Sequence, residues 1–212
     1  MAALDAWTYA ASHADEIGAA ARTHLVLAGS ALLLAMAVAV PLGIRAARAP
    51  RLGDALMALA GALRVVPSLA VLVLVLPYLG LGFRSALVAL TVLAIPPILV
   101  NTYAGYAGVD AGVVEAALGT GMTPREILVR IETPLALPVV VAGLRTAAVE
   151  VVASATLAAF IGGGGLGEFI VNGLGMSDWR LLLAGAVPVA LLAVAAEAAL
   201  GLLERIVRGA TA

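Results

Sequence analysis

An all-α, polytopic membrane protein with five transmembrane helices is the fold class this sequence predicts. Three observations point to it. The chain is 63% hydrophobic and only 12% charged, where a soluble domain carries about 25% charged residues. Five apolar stretches come close to the roughly 20 residues that a bilayer core demands. Short alternating strands are missing, and lipid leaves no backbone group unpaired, which favours helices.

The first stretch, 23–44, is uncharged between Arg22 and Arg45. Its N-flank is acidic (Asp5, Asp15, Glu16) and its apolar run long, so it reads as a span and not as a cleaved leader. The second, 56–78, is interrupted by Arg64 and Pro67. The third covers 85–103. The fourth, 137–161, carries Arg145 and Glu150, and the fifth, 181–203, carries Glu197. Pro67, Pro77, Pro96 and Pro97 are expected to kink spans two and three. Kinks free backbone carbonyls, and such carbonyls can line a cavity. The whole of 1–212 reads as a single transmembrane domain without internal repeat.

Arginine placement sets an expected orientation. Arg45, Arg48 and Arg51 fall in the first loop, Arg125 and Arg130 in the third, and Arg205 and Arg208 in the tail. The positive-inside rule then puts the N-terminus out and the C-terminus in.

Composition also excludes chemistry. The formal net charge is −1, which argues against nucleic acid as a partner. There is no Cys, so no disulfide or thiol site is expected, and His13 and His24 are too few for a metal cluster. All twelve basic residues are Arg. A phosphate-binding loop of the G-x-x-x-x-G-K-[ST] type needs Lys and is ruled out. No nucleophile–base or metal constellation appears, so no catalytic, cofactor-binding or metal residue is expected.

The long segment 105–136 reads as two short helices on the cytoplasmic side. Asp110 can cap the first, and Val113, Val114, Ala117 and Leu118 give it an apolar face. Gly119 and Gly121 end it. Thr123-Pro124-Arg125-Glu126 is a capping box with Pro at the first helical position, opening the second. Ile127, Leu128 and Ile131 form its apolar face, and Pro134 and Pro138 bracket the entry to span four. The physical reading alone leaves two options: a loop lying on the membrane, or a rigid peg for a partner's groove.

Within this segment stand Glu115-Ala116-Ala117, then Gly121, then Ile131, then Thr133-Pro134. The series resembles the E-A-A, three residues, G, nine residues, I, one residue, L-P signature of permease subunits of ABC importers of the type I kind, with Thr133 where Leu is usual. The resemblance implies that Glu115, Ala116, Ala117, Gly119, Gly121, Ile131 and Pro134 form the coupling surface for a separate ABC ATPase subunit. It implies a buried carboxylate anchor for Glu115, close packing for Ala116 and Ala117, and the sharp turn for Gly121. ATP and Mg would be bound by that partner and not by this chain.

Gly162-Gly163-Gly164-Gly165-Leu166-Gly167 formally satisfies G-x-G-x-x-G. No strand precedes it, so a dinucleotide reading fails. It is either a plain turn or a place of close backbone approach at the mouth of a pathway. The stretches Arg64-Val65-Val66-Pro67-Ser68-Leu69-Ala70, Pro96 to Tyr103 (with Asn101), and Leu135 to Gly162 resemble the osmoprotectant branch of these permeases. That branch carries glycine betaine, carnitine, choline and related quaternary ammonium solutes. The alternatives are a methionine importer permease and an ATP-independent secondary transporter. The resemblance implies a solute-binding protein, a second permease chain (identical or related) and membrane lipid as partners, in the bacterial inner membrane. Gly162, Gly163, Gly164, Gly165, Gly167 and Asn101 are the candidate pathway or gate residues.

Arg64, Arg145, Glu150 and Glu197 are charges inside spans, each costing about 2.5–3.5 kcal/mol at a helix centre. Arg145 and Glu150 lie roughly 140° apart around a helix, so they do not form an i,i+4 pair. Either Arg64 or Arg145 is neutralised by Glu150 or Glu197 across helices, or these side chains line the pore or form a relay. An aromatic cage for a quaternary ammonium is not evident at 4% aromatic residues. High-affinity recognition is therefore expected on the outer binding protein.

Overall fold

The computed structural model describes residues 2–210, and the side chains of residues 7–209. Ten α-helices follow in order: α1 (Ala2–Ser12), α2 (Ala14–Arg48), α3 (Pro50–Val65), α4 (Ser68–Leu79), α5 (Phe83–Ala107), α6 (Ala111–Gly119), α7 (Pro124–Ile127), α8 (Thr133–Ser154), α9 (Gly167–Met176) and α10 (Trp179–Ala210). Among the described residues four helical columns are long and apolar enough to cross a membrane, and a fifth if the bent pair α3–α4 counts as one span.

Small residues set the packing. The buried face of α2 reads Ala28, Ala31, Ala35, Ala39, Gly43 and Ala46, recurring every three or four positions. Lipid tails are as apolar as Leu, so helices associate through close van der Waals contact, which small residues allow. A Cβ on Gly43 would stand 2.7 Å from the Thr102 side chain, and one on Gly143 would stand 2.5 Å from Asn101. These glycines let α5 lie tightly between α2 and α8. The Thr91 and Thr102 hydroxyls bond back to the Leu87 and Ile98 carbonyls, each at 2.7 Å, which satisfies them without water.

The second stretch does not form one helix. It breaks after Val65, and α4 leaves α3 at 99°. Pro67 caps α4 and cannot donate to α3. Pro96 and Pro97, by contrast, lie inside an unbroken α5. Both are buried, so neighbouring helices hold that column, while Arg64 and Val65 are exposed.

The fourth stretch also departs from its expected form. Its α-helix ends at Ser154, and Leu157–Ile161 is a 3₁₀ turn. At its other end α8 is continuous through a π-helical turn, Leu128–Glu132, with α7. Pro124 to Ser154 is therefore one column of 31 residues, and Pro134 and Pro138 lie within it. The second short helix of the 105–136 segment is the foot of span four, not a separate element. The amphipathic helices α1 and α9 are additions that the hydropathy pattern did not reveal.

Candidate functional site: an elbow at one end, a cavity in the bundle

Local chemistry closes α6 at both ends. Asp110 Oδ1 accepts from the Gly112 and Val113 N–H groups at 2.6 and 3.3 Å, filling donors that a helix start leaves open. At the far end the Met122 N–H reaches the Ala117 carbonyl at 3.3 Å and the Gly121 N–H reaches that of Leu118 at 2.9 Å. This double closure needs a left-handed residue, and Gly121 supplies it at φ +85°. Gly119 is the last residue of α6 and has open space around it.

The capping box forms as the sequence predicts. The Thr123 N–H donates to Glu126 Oε2 at 3.0 Å, and the Glu126 N–H donates to Thr123 Oγ1 at 3.3 Å. The Thr123 backbone and hydroxyl bonds hold the Glu126 carboxyl below the usual carboxylate range.

Thr133 has a role that sequence reading missed. Its hydroxyl donates to the Leu128 carbonyl at 2.7 Å and lies 3.0 Å from the Tyr106 hydroxyl. It pins the π turn to α5. Arg48 pairs with Glu132, tying the end of α2 to the same turn. The elbow is thus braced from two sides.

Among the described residues its outer surface has no partner to cover it. On α6 only Ala117 is buried; Val113 is 43% and Leu118 51% exposed. The expected apolar face is real in composition yet turned away from the protein. Glu115 and Ala116 are exposed too, whereas Ile131 and Pro134 are half-buried at the join with α8.

At the opposite end the glycine run is a packing device. Gly162, Gly164 and Gly165 take φ of +72°, +78° and +87°. A Cβ on Gly163 would stand 2.7 Å from the Ala86 side chain, and one on Gly167 2.1 Å from the Thr156 carbonyl oxygen. A Cβ on Gly165 would meet buried His24 at 3.2 Å. His24 Nε2 lies 3.0 Å from the Val152 carbonyl. The run is pressed against α2 and α5. Asn101 Nδ2 donates to the Pro97 carbonyl at 2.8 Å and faces Gly143 at the α5–α8 crossing.

The intramembrane charges divide into two sets. Arg145 on α8 bonds Glu197 on α10 at 2.6 Å and Glu204 at 2.9 Å. Glu204 also takes Arg208 at 2.8 Å. Interhelical neutralisation thus holds for Arg145 and Glu197; Glu204, near the end of the last span, escaped the sequence reading. Arg64 and Glu150 are not among the salt bridges of the described residues. They line one cavity of 370 Å³, together with Val92, Leu93, Pro96 and Ser154. Glu150 also borders a second, more open groove of 540 Å³ that holds Arg145, Glu197 and Glu204.

The chain as a whole resembles known transport proteins. Residues 39–209 match the family model described as "Binding-protein-dependent transport system inner membrane component". A carnitine transport permease protein from Listeria monocytogenes is 46% identical over 181 residues, 85% of this chain and 83% of that protein. A glycine betaine/carnitine/choline transport system permease protein from Bacillus subtilis is 41% identical, over 86% of this chain and 84% of its own. An osmoprotectant import permease protein from Salmonella typhimurium is 35% identical, over 90% and 91%. Among solved structures, an inward-facing MetNI methionine ABC transporter contains a chain of the same fold. Its TM-score is 0.81 at 21% identity, covering 90% of this chain and 95% of that one.

Proposed function

The chain belongs to the binding-protein-dependent transport system inner membrane components, and from that premise we propose that it is the permease of an ATP-driven importer of quaternary ammonium compatible solutes. It is an ABC transporter permease subunit and is not itself catalytic. Family membership implies an ATPase partner and a binding-protein partner. Glycine betaine, carnitine and choline are the solute class, since the relatives at 41–46% identity carry those names and a third is named for osmoprotectant import. The likeness to a methionine transporter, at 21% identity, bears on fold alone.

The observation that carries the coupling role is the elbow from Asp110 to Glu132. It is capped at every end, braced by Arg48 and Thr133, and leaves Glu115, Ala116, Val113 and Leu118 uncovered. A rigid peg with an unpartnered face is what a groove on an ATPase subunit requires. Gly121 makes the turn, and Ile131 and Pro134 join the peg to span four. Glu115 acts as a carboxylate anchor in that groove. ATP and Mg stay on the partner. ATP-driven closure of the ATPase pair moves the elbow, the elbow moves α8, and access alternates between the two faces. Two permease chains, identical or related, enclose the pathway.

The orientation follows from the arginines. Arg48 and the elbow meet at one end of the bundle, and Arg45, Arg51, Arg125 and Arg130 lie on the helix ends and turn beside them. That end faces the cytoplasm, so the N-terminus is out and the C-terminus in, across a bacterial inner membrane. The glycine run then lies at the outer face, where the binding protein delivers its cargo.

The test is reconstitution with the ATPase subunit and the solute-binding protein. ATPase activity should rise with glycine betaine, choline or carnitine and not with methionine. Stimulation by methionine alone would overturn the solute class, and solute uptake without any ATPase subunit would overturn the importer reading. Because the chain has no Cys, a single cysteine placed at Glu115 reports orientation without background. Labelling of that cysteine from the outer face only would invert the topology.

A further inference from the structure

The cavity between α3, α5 and α8 presents opposite charges that do not touch. Arg64 stands at the end of α3, where the bend to α4 opens the wall. Glu150 reaches the same space from α8. A paired Arg and Glu would neutralise each other and leave nothing for a ligand. No salt bridge within 4.0 Å joins Arg64 to Glu150, so both contact faces are open to a third party, although the two charges attract one another through space.

The third wall comes from α5. Pro96 and Pro97 carry no N–H, so neither can take up the carbonyl four residues before it, that of Val92 or Leu93. Both residues line this cavity. Carbonyl oxygens released in this way add partial negative charge to the α5 wall. The Ser154 hydroxyl lies in the same lining. The volume of 370 Å³ falls within the roughly 300–1,000 Å³ of small-molecule sites.

A quaternary ammonium has no N–H and cannot donate a hydrogen bond. It is held by diffuse negative charge and apolar contact. Glu150, the freed carbonyls and the aliphatic walls offer both. A carboxylate on the same solute needs a donor fork, and a guanidinium is the side chain that fits it. We propose that Arg64 and Glu150 form the two poles of a transit subsite for zwitterionic solutes, in which Arg64 takes the carboxylate and Glu150 the cationic head. This rests on the solute class given above and deepens it: solutes with a carboxylate and solutes without one are told apart at Arg64.

The experiment uses the permease–ATPase complex in nanodiscs, without the outer binding protein. Binding of radiolabelled glycine betaine and choline is measured by scintillation proximity. The wild type should bind both. Arg64→Gln should weaken glycine betaine about tenfold or more and leave choline within about twofold. Glu150→Gln should weaken both. Choline binding serves as the control for folding. Should Arg64→Gln fail to assemble, the wild type decides by itself: saturating glycine betaine should protect Glu150 from a water-soluble carbodiimide, read by mass spectrometry. An unchanged glycine betaine-to-choline ratio in Arg64→Gln, or no protection of Glu150, overturns the subsite. Uptake by the full system separates the two readings. If quaternary ammonium solutes are imported while these binding tests fail, the subsite alone falls; if none is imported, the solute class falls and the subsite with it.

Discussion

The hydroxyls of Tyr106 and Thr133 meet at 3.0 Å, joining the end of α5 to the π turn that leads from the elbow into α8. Thr133 stands where the permease signature usually has Leu. Its hydroxyl also holds the Leu128 carbonyl at 2.7 Å. Thr133→Val should lose both bonds, each worth about 0.5–1.5 kcal/mol. Tyr106→Phe should cost less, because the bond to Leu128 survives. Thermal unfolding of the purified permease gives the order, and hydrogen exchange over 128–133 shows whether the turn has loosened.

Glu115 is exposed on α6, so Glu115→Gln should leave stability unchanged and lower solute-stimulated ATPase activity several-fold. Gly121→Ala should do both. Its φ of +85° costs a side-chain-bearing residue about 1–2 kcal/mol, and the closure of α6 depends on it. Coupling that stays at wild-type level in both variants would contradict the peg role.

Two glycines in one helix make a controlled pair. A Cβ on Gly167 would stand 2.1 Å from the Thr156 carbonyl oxygen, while one on Gly175 meets nothing within 4 Å. Gly167→Ala should therefore destabilise by about 1–3 kcal/mol or more, as overpacking does. Gly175→Ala should be neutral or slightly stabilising. Melting temperatures of the two variants, measured side by side, check the contrast.

The α8–α10 contact depends on charge. Glu204 bonds both Arg145 and Arg208, whereas Glu197 bonds Arg145 alone. Glu204→Gln should lower the melting temperature more than Glu197→Gln. Arg145→Gln should lower it as well, since it leaves Glu197 unpaired and Glu204 with Arg208 alone. A reversed order for the two glutamates would show that Arg145 relies chiefly on Glu197.

Acid should loosen the elbow at its second helix. Glu126 has its pKa depressed by the bonds from Thr123. A depressed carboxylate contributes its stabilisation in full above the ordinary carboxylate range, and loses it as pH falls through the lower folded value. Exchange protection at 123–127, corrected for intrinsic rates, should hold at neutral pH and decline at acid pH. Glu126→Gln should remove that pH dependence.

The local devices were legible because they depend on neighbours in sequence. Asp110, Gly121 and the Thr123–Glu126 box need only a few residues to specify a cap or a turn. The apolar columns were legible from length and composition. What escaped depends on packing. Nothing in the local pattern separates Pro67, where the chain turns by 99°, from Pro96 and Pro97, where it does not; the difference lies in how deeply neighbouring helices embed each site. The partnership of Arg145 with Glu204 spans 59 residues and had no periodic signal. Thr133 looked like a departure from a signature until Tyr106 and the Leu128 carbonyl were seen beside it.

The unbroken column from Pro124 to Ser154 behaves as a connecting rod. At 1.5 Å per residue, Glu150 rides about 39 Å from the foot of that column. Coupling as proposed above would carry a push or twist at the elbow to Glu150 along one helical column, while Arg64 stands on another helix. Under that proposal stroke and release become one event: the motion that reorients the pathway would also change the spacing of the opposite charges between which a zwitterion would rest.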